Sequence, residues 1–197
     1  MRVGTFLVGV AGPACSGPRT STEGRAPVWY RQRRPVRDAH GEGHVARGTQ
    51  IRGAALGPEI VTTRVFDAPR ERVFRAWTDP EHLVRWWGPK GFTSTFQAFD
   101  LRPGGVWRFV MHGPDGLDCK NKSVFVEIVR PERIVFQHVS GPAFLVTATF
   151  AEQAGKTKVT FQMLFETAAA CEKVKGVAVA ANEQNFDRLE AELARMS

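Results

Sequence analysis

From residue 58 onward the apolar positions of this chain recur with two periods, and the changeovers between them mark its elements. EIVTTRVF (59–66) is rich in β-branched residues and predicts a strand. In FDAPRERVFRAW (66–77), Val73, Phe74 and Trp77 fall at helical spacing, and Asp67 ahead of Pro69 predicts a capped helix start. Thr78-Asp79-Pro80-Glu81 opens a second short helix, which Gly88-Pro89 stops. Six strand-like segments follow at 92–100, 105–112, 121–129, 132–139, 143–151 and 157–166, joined by turns such as Arg102-Pro103-Gly104-Gly105 and Gly113-Pro114-Asp115-Gly116. Turns this short imply antiparallel pairing. A helix over 168–195 closes the chain, with Val174, Val177, Ala178, Ala181, Phe186, Leu189 and Leu193 as its apolar stripe. The order predicts an α+β fold: one antiparallel sheet with the helices gathered on one face and curling round the last of them.

Alternation then sorts the strand faces. Val159, Phe161, Met163 and Phe165 share one side of their strand, as do Phe144, Val146, Ala148 and Phe150, and Trp107, Phe109 and Met111. His138 falls in phase with Ile134 and Phe136. The opposite side of each strand reads as wet. Facing this aromatic sheet, the long helix offers small residues: Gly176, Ala178, Ala180 and Ala181. Large groups against small ones are compatible with tight interdigitation and with a hollow, and the pattern leaves both open. The candidate lining of a hollow is Trp86, Trp87, Trp107, Phe109, Met111, Phe136, His138, Phe144, Phe161, Met163, Ala178, Asn182 and Phe186. Trp86 and Trp87 end the second short helix. Adjacent helical side chains diverge by about 100°. One ring is therefore expected under the helix in the core and the other over the cavity mouth or the Lys90-Gly91 turn, the competing reading being that both rings serve helix-to-sheet packing.

Charge divides the chain. Residues 1–57 hold nine Arg, no Lys and three acids, while residues 58–197 hold 18 basic and 17 acidic residues. Of the net charge of +7, +6 thus belongs to the N-terminal segment, and the near-neutral body does not read as a nucleic-acid binder. Residues 1–57 are rich in Arg, Gly and Pro and hold no period, so they read as a disordered extension to a body at 58–197. Three other readings compete for that segment. MRVGTFLVGVAGPAC faintly resembles a signal peptide, WYRQRRPVR suits contact with phosphates or acidic surfaces, and the whole segment suits translation from a mis-set start. No apolar run is long enough to span a membrane. Cys15, Cys119 and Cys171 are odd in number and widely spaced, which suits neither a metal site nor a disulfide framework and points to a reducing compartment, the cytoplasm.

No reaction centre stands out. Gly104-Gly105 lies in a hairpin, not in a phosphate loop. Neither a cofactor nor a metal is implied. His82 reads as lying outside a short helix, and His112 as ending a strand. His138 is placed to orient a ligand or act as a base. Cys171 sits in the first turn of the last helix, where the dipole lowers a thiol pKa. Cys119 reads as lying in or near a hairpin loop. Glu127 is expected to pair with an Arg.

Four separated segments, in order, carry a resemblance: FDAPRERVFRAWTDPEHLVRWWGPKGFT (66–93), FDLRPGGVWRFVMHGPDG (99–116), EIVRPERIVFQH (127–138) and EQNFDRLEAEL (183–193). They resemble the activator of heat-shock protein 90 ATPase homologue family, within the START-like or SRPBCC superfamily. The resemblance covers the body and not the extension. It implies the helix-grip fold, a curved seven-stranded antiparallel sheet around a long C-terminal helix. Members often carry Gly-Trp-Glu-Gln on that helix, where this chain has Ala181, Asn182, Glu183 and Gln184. An Asn in place of a large aromatic enlarges the cavity or puts a polar group in it. Three functions follow as expectations: a non-catalytic module for a small apolar or amphipathic ligand, a co-chaperone of a heat-shock protein 90, or a cyclase- or hydrolase-like enzyme using His138, Asn182 and Arg108. Whether any reaction is catalysed stays open, as does the choice between monomer and homodimer.

Overall fold

The structure, a computed structural model, describes residues 57–196. The extension read at 1–57, with Cys15, lies outside the described residues apart from Gly57. Strand β1 (Glu59–Phe66) leads into helices α1 (Arg70–Thr78) and α2 (Pro80–Trp86). Strands β2 (Thr93–Phe99), β3 (Val106–His112), β4 (Asp118–Val129), β5 (Arg133–His138), β6 (Phe144–Gln153) and β7 (Lys156–Phe165) follow, and α3 (Ala168–Leu193) ends the fold. The seven strands form one curved antiparallel sheet in the order β1-β7-β6-β5-β4-β3-β2, so only β1 breaks the hairpin succession, closing on β7. Helix α3 lies across β1 and β7 with α1 and α2 against it, which is the helix-grip arrangement.

Local chemistry explains most boundaries. Asp79 caps α2 by accepting the Glu81 N–H at 3.0 Å, with Pro80 at the first helical position. Thr167 caps α3 in the same way through the Ala170 N–H. Helix α1 differs from expectation. Its N-cap is Pro69, which offers no side-chain acceptor, and Asp67 instead stands 3.5 Å from Lys156. The β2–β3 turn depends on a glycine at 105, because a Cβ there would lie 2.0 Å from the Asp100 carbonyl oxygen. That close approach lets Gly105 O accept from Phe125 N–H and Gly104 N–H donate to Phe125 O, tying the turn to β4.

The inward phase of the strands builds one large core with the helices. The convex face is drier than its alternation suggested. Val135, Leu145 and Leu164 form a second apolar cluster there, and Gln137 beside them is 8% exposed. Their β-branched and branched side chains stand on adjacent central strands and shield one another across the ladder. On α3, Ala178 and Ala181 are buried, but Gly176 and Ala180 face solvent, because the helix turns only one stripe to the sheet. Cys119 is the second residue of β4, next to the hairpin turn at 113–117 as expected, and it is buried. Among the described residues no helix is long and apolar enough to cross a membrane.

Candidate functional site

The Trp86–Trp87 pair is the seam between helices and sheet. Trp86 is fully buried, and its Nε1–H donates to the Ala76 carbonyl at 2.9 Å, locking α2 onto α1. Trp87, one residue past the helix, turns the other way and is half-buried. Its ring meets Trp77 at 5.8 Å and Trp107 at 4.9 Å between centroids. Aromatic pairs at such spacings add stability beyond their buried area.

Behind Trp87, between sheet and α3, lies a cavity. The space a water's centre can reach within it is about 40 Å³, against the ~10–15 Å³ one water needs. Phe109, Phe136, Phe144, Phe161, Met111 and Met163 line it with Val146, and Asn121, Ser123, His138, Asn182 and Asn185 add polar groups. A smaller void of about 10 Å³ adjoins it, sharing Trp87, Phe161, Asn182 and Asn185 and reaching Trp77, Trp86 and Phe186. The polar groups are tied down. His138 lies between two hydroxyls, Ser123 Oγ 3.4 Å from Nδ1 and Ser140 Oγ 3.2 Å from Nε2, and its ring stacks on Phe144. Burial with no acid in contact pulls its pKa down to about 4, so the imidazole is neutral at physiological pH. Asn182 donates to Thr62 Oγ1 at 3.2 Å and touches the Met163 sulfur at 3.6 Å.

The chain carrying Trp87 is held from α3 by three side chains. Asn185 Oδ1 accepts from Gly88 N–H, and Gln184 Oε1 from Lys90 N–H. Arg188 donates to four carbonyls: Arg85, Gly88, Pro89 and Phe92. Gly88 is needed there, since its φ is +127° and a Cβ would come within 3.1 Å of the Met111 methyl. Burial lowers the pKa of Arg188.

The family described as Activator of Hsp90 ATPase homolog 1-like protein matches residues 67–194, about two thirds of the chain. The chain belongs to this family. Solved structures similar to this Activator of Hsp90 ATPase homolog 1-like domain include a Rhodobacter sphaeroides protein, 25% identical with a TM-score of 0.66, covering 71% of this chain and 94% of that one. An Arthrobacter aurescens protein is 23% identical with a TM-score of 0.66 over 72% of this chain and 88% of that one. The AHSA1-like protein from Aeromonas hydrophila is 23% identical with a TM-score of 0.58 over 68% of this chain and 92% of that one. At 23% identity the last two speak for the fold alone. No curated protein matches the chain at a significant level.

Within this homolog 1-like domain, the cavity brings together Trp87, Phe109, Met111, Phe136, His138, Phe144, Phe161, Met163 and Asn182. Trp86 and Phe186 reach only the smaller void. Trp107 and Ala178 are buried but line neither, because Trp107 stacks behind Phe109 and Ala178 packs flat in the core. Arg108 stands exposed on the far face of the sheet, away from the cavity, as alternation requires. Asn121, Ser123, Val146 and Asn185 were not singled out from sequence. Their signal was present, since Asn121 and Ser123 share the inward phase of Cys119 and Phe125, and Asn185 lies three residues past Asn182 on one helical face.

Two other residues differ from expectation. His82 is not on the outside: its Nδ1 is 2.8 Å from the buried Glu192 carboxylate, which Arg85 also reaches at 3.3 Å. Cys171 is buried in the first turn of α3, and that burial raises its thiol pKa where the helix dipole alone would lower it. Glu127 does accept from Arg133 at 2.9 Å. Among the described residues no cluster of His, Cys, Asp and Glu is arranged to hold a metal ion.

Proposed function

We propose that this domain binds a small apolar or amphipathic molecule in the cavity between the sheet and α3, beside Trp87. The observation that carries the reading is the void itself, with aromatic walls and five buried polar side chains converging on it. Each of the five is hydrogen-bonded within the protein, and the carboxamides keep further donors and acceptors that a guest would engage. Binding is favoured over catalysis by the state of His138. A base with a pKa near 4 is a poor proton acceptor at neutral pH, and Arg108, the third candidate for an enzyme site, points away. Action on a heat-shock protein 90 ATPase rests on the family's description alone. Cys119 and Cys171, both buried and in no disulfide, suit a reducing compartment such as the cytoplasm.

Native mass spectrometry of freshly purified protein, paired with a thermal-shift screen, tests the proposal. Asn182→Trp puts the aromatic of the family pattern into the void. We expect ligands that raise the Tm of the wild type to leave this variant unchanged. Identical ligand profiles for the two folded proteins would remove the cavity as the site.

A further inference from the structure

Building on the binding reading above, we infer that the cavity selects an uncharged ligand, one with a hydrogen-bonding head such as a carboxamide, carbonyl or hydroxyl on a flat apolar body. Among the described residues nine polar or charged side chains are buried, and five of them line this one cavity. All five are neutral: three carboxamides, a hydroxyl and an imidazole. No Lys, Arg, Asp or Glu is among the lining residues.

Two cations that contact α3 or its neighbouring turn are already engaged. Arg188, on α3 beside Gly88, spends its donors on four backbone carbonyls. Arg64 pairs with Glu183 and Asp187 on another face of α3. His138 has Ser123, Ser140 and the Phe144 ring around it, and burial keeps it neutral down to about pH 4. A carboxylate or ammonium entering the cavity would lose its water and gain no counter-charge.

The amides retain capacity for a guest. Asn121 spends one N–H on the Cys119 carbonyl, and Asn185 accepts from Gly88 N–H. A carboxamide has two donors and two acceptor lone pairs. A cavity of about 40 Å³ has room for about three waters, hence for a polar head of a few heavy atoms. The apolar remainder belongs beside Trp87, the one lining residue that is not fully buried.

Three near-isosteric probes test this on the full chain: benzamide, benzoate and benzamidine, followed by thermal shift and isothermal titration calorimetry. At pH 7.5 benzamide should bind, and the two ions at least about 30-fold more weakly. Between pH 7.5 and 5.5 the benzoate affinity should rise about tenfold per unit, as its neutral acid becomes available, while benzamide affinity stays flat. Asn182→Asp should gain benzamidine affinity by at least about tenfold, through the new carboxylate. Should that variant fail to fold, the wild-type comparison still decides. Benzoate or benzamidine binding within threefold of benzamide would overturn the charge selectivity and leave the cavity reading standing. If none of the three binds, and Asn182→Trp alters no ligand profile, the cavity reading falls and the selectivity with it.

Discussion

Arg188→Ala should destabilise the domain by about 3 kcal/mol while leaving it folded, and the figure follows from its contacts. The guanidinium donates from Nη1 to the carbonyls of Gly88, Pro89 and Phe92, at 2.6, 3.0 and 3.0 Å, and from Nη2 to Arg85 at 2.8 Å. Nη1 carries two protons, so its three acceptors amount to two full bonds, and Arg85 makes a third. A hydrogen bond to a charged group contributes ~1.5–3 kcal/mol when buried. Arg188 is half-buried, so water would recover part of each, leaving about 1 kcal/mol apiece. The Arg85 carbonyl also lies at the C-terminal, negative end of α2, where a cation is favoured. Asn185 and Gln184 still hold Gly88 and Lys90, so the variant should fold. Urea unfolding followed by tryptophan fluorescence measures the loss, and Tm should fall by about 6–12 °C at ~2–4 °C per kcal/mol. Arg188→Lys should recover less than half, because one ammonium cannot span carbonyls that two separate nitrogens reach. A loss under about 0.5 kcal/mol at unchanged m-value, or a lysine variant equal to wild type, would refute the idea that this side chain holds the tryptophan-bearing turn.

Two further outcomes follow. The folded pKa of His138, about 4, lies below its unfolded value of 6.5, so the unfolded chain binds the proton first and stability rises with pH across that window. The contribution is complete above 6.5 and falls by about 1.4 kcal/mol per pH unit below it, to a total of about 3 kcal/mol near pH 4, and a His138→Gln variant measured by urea unfolding should lack that slope. Glu192 is 1% exposed and joins His82 and Arg85 of α2 to the end of α3, with Arg195 Nη1 3.6 Å from its Oε2, an ion pair too long for a hydrogen bond. Glu192→Ala should cost ~2–4 kcal/mol in the same assay and Glu192→Gln less than half of that; equal losses would show that packing, not pairing, carries the contact.

The order of elements was legible in the chain because it depends on local rules. A period of two or of 3.6, a proline after an aspartate and a glycine in a turn act within a few residues, and β1 through α3 came out close to the expected spans. Which strand phase faces the helix was legible too, since the aromatic set of β3, β5, β6 and β7 could not all be wet. That the two tryptophans would face different surroundings was also foreseeable, because adjacent side chains at a helix end diverge, whereas the choice between packing and a cavity wall for the second ring was left open.

What needed the tertiary structure was everything that depends on distances between segments far apart in the chain. Asp67 looks like a cap, yet α1 starts from Pro69 and the aspartate stands 3.5 Å from Lys156, 89 positions on. His82 looks exposed on its own helix, and only the packing of α3 brings Glu192 to it. Val135, Leu145 and Leu164 each look like an isolated apolar residue on a wet face until the strand order sets them side by side. The cavity is the clearest case. His138 on β5 and Asn182 on α3 were candidates from sequence, but Asn121 and Ser123 on β4 read as polar interruptions, and the sheet's register and the path of α3 make all four walls of one void. Period reports the direction of a side chain, whereas the space left between opposed side chains is set by how curved the sheet is and where the helix lies across it.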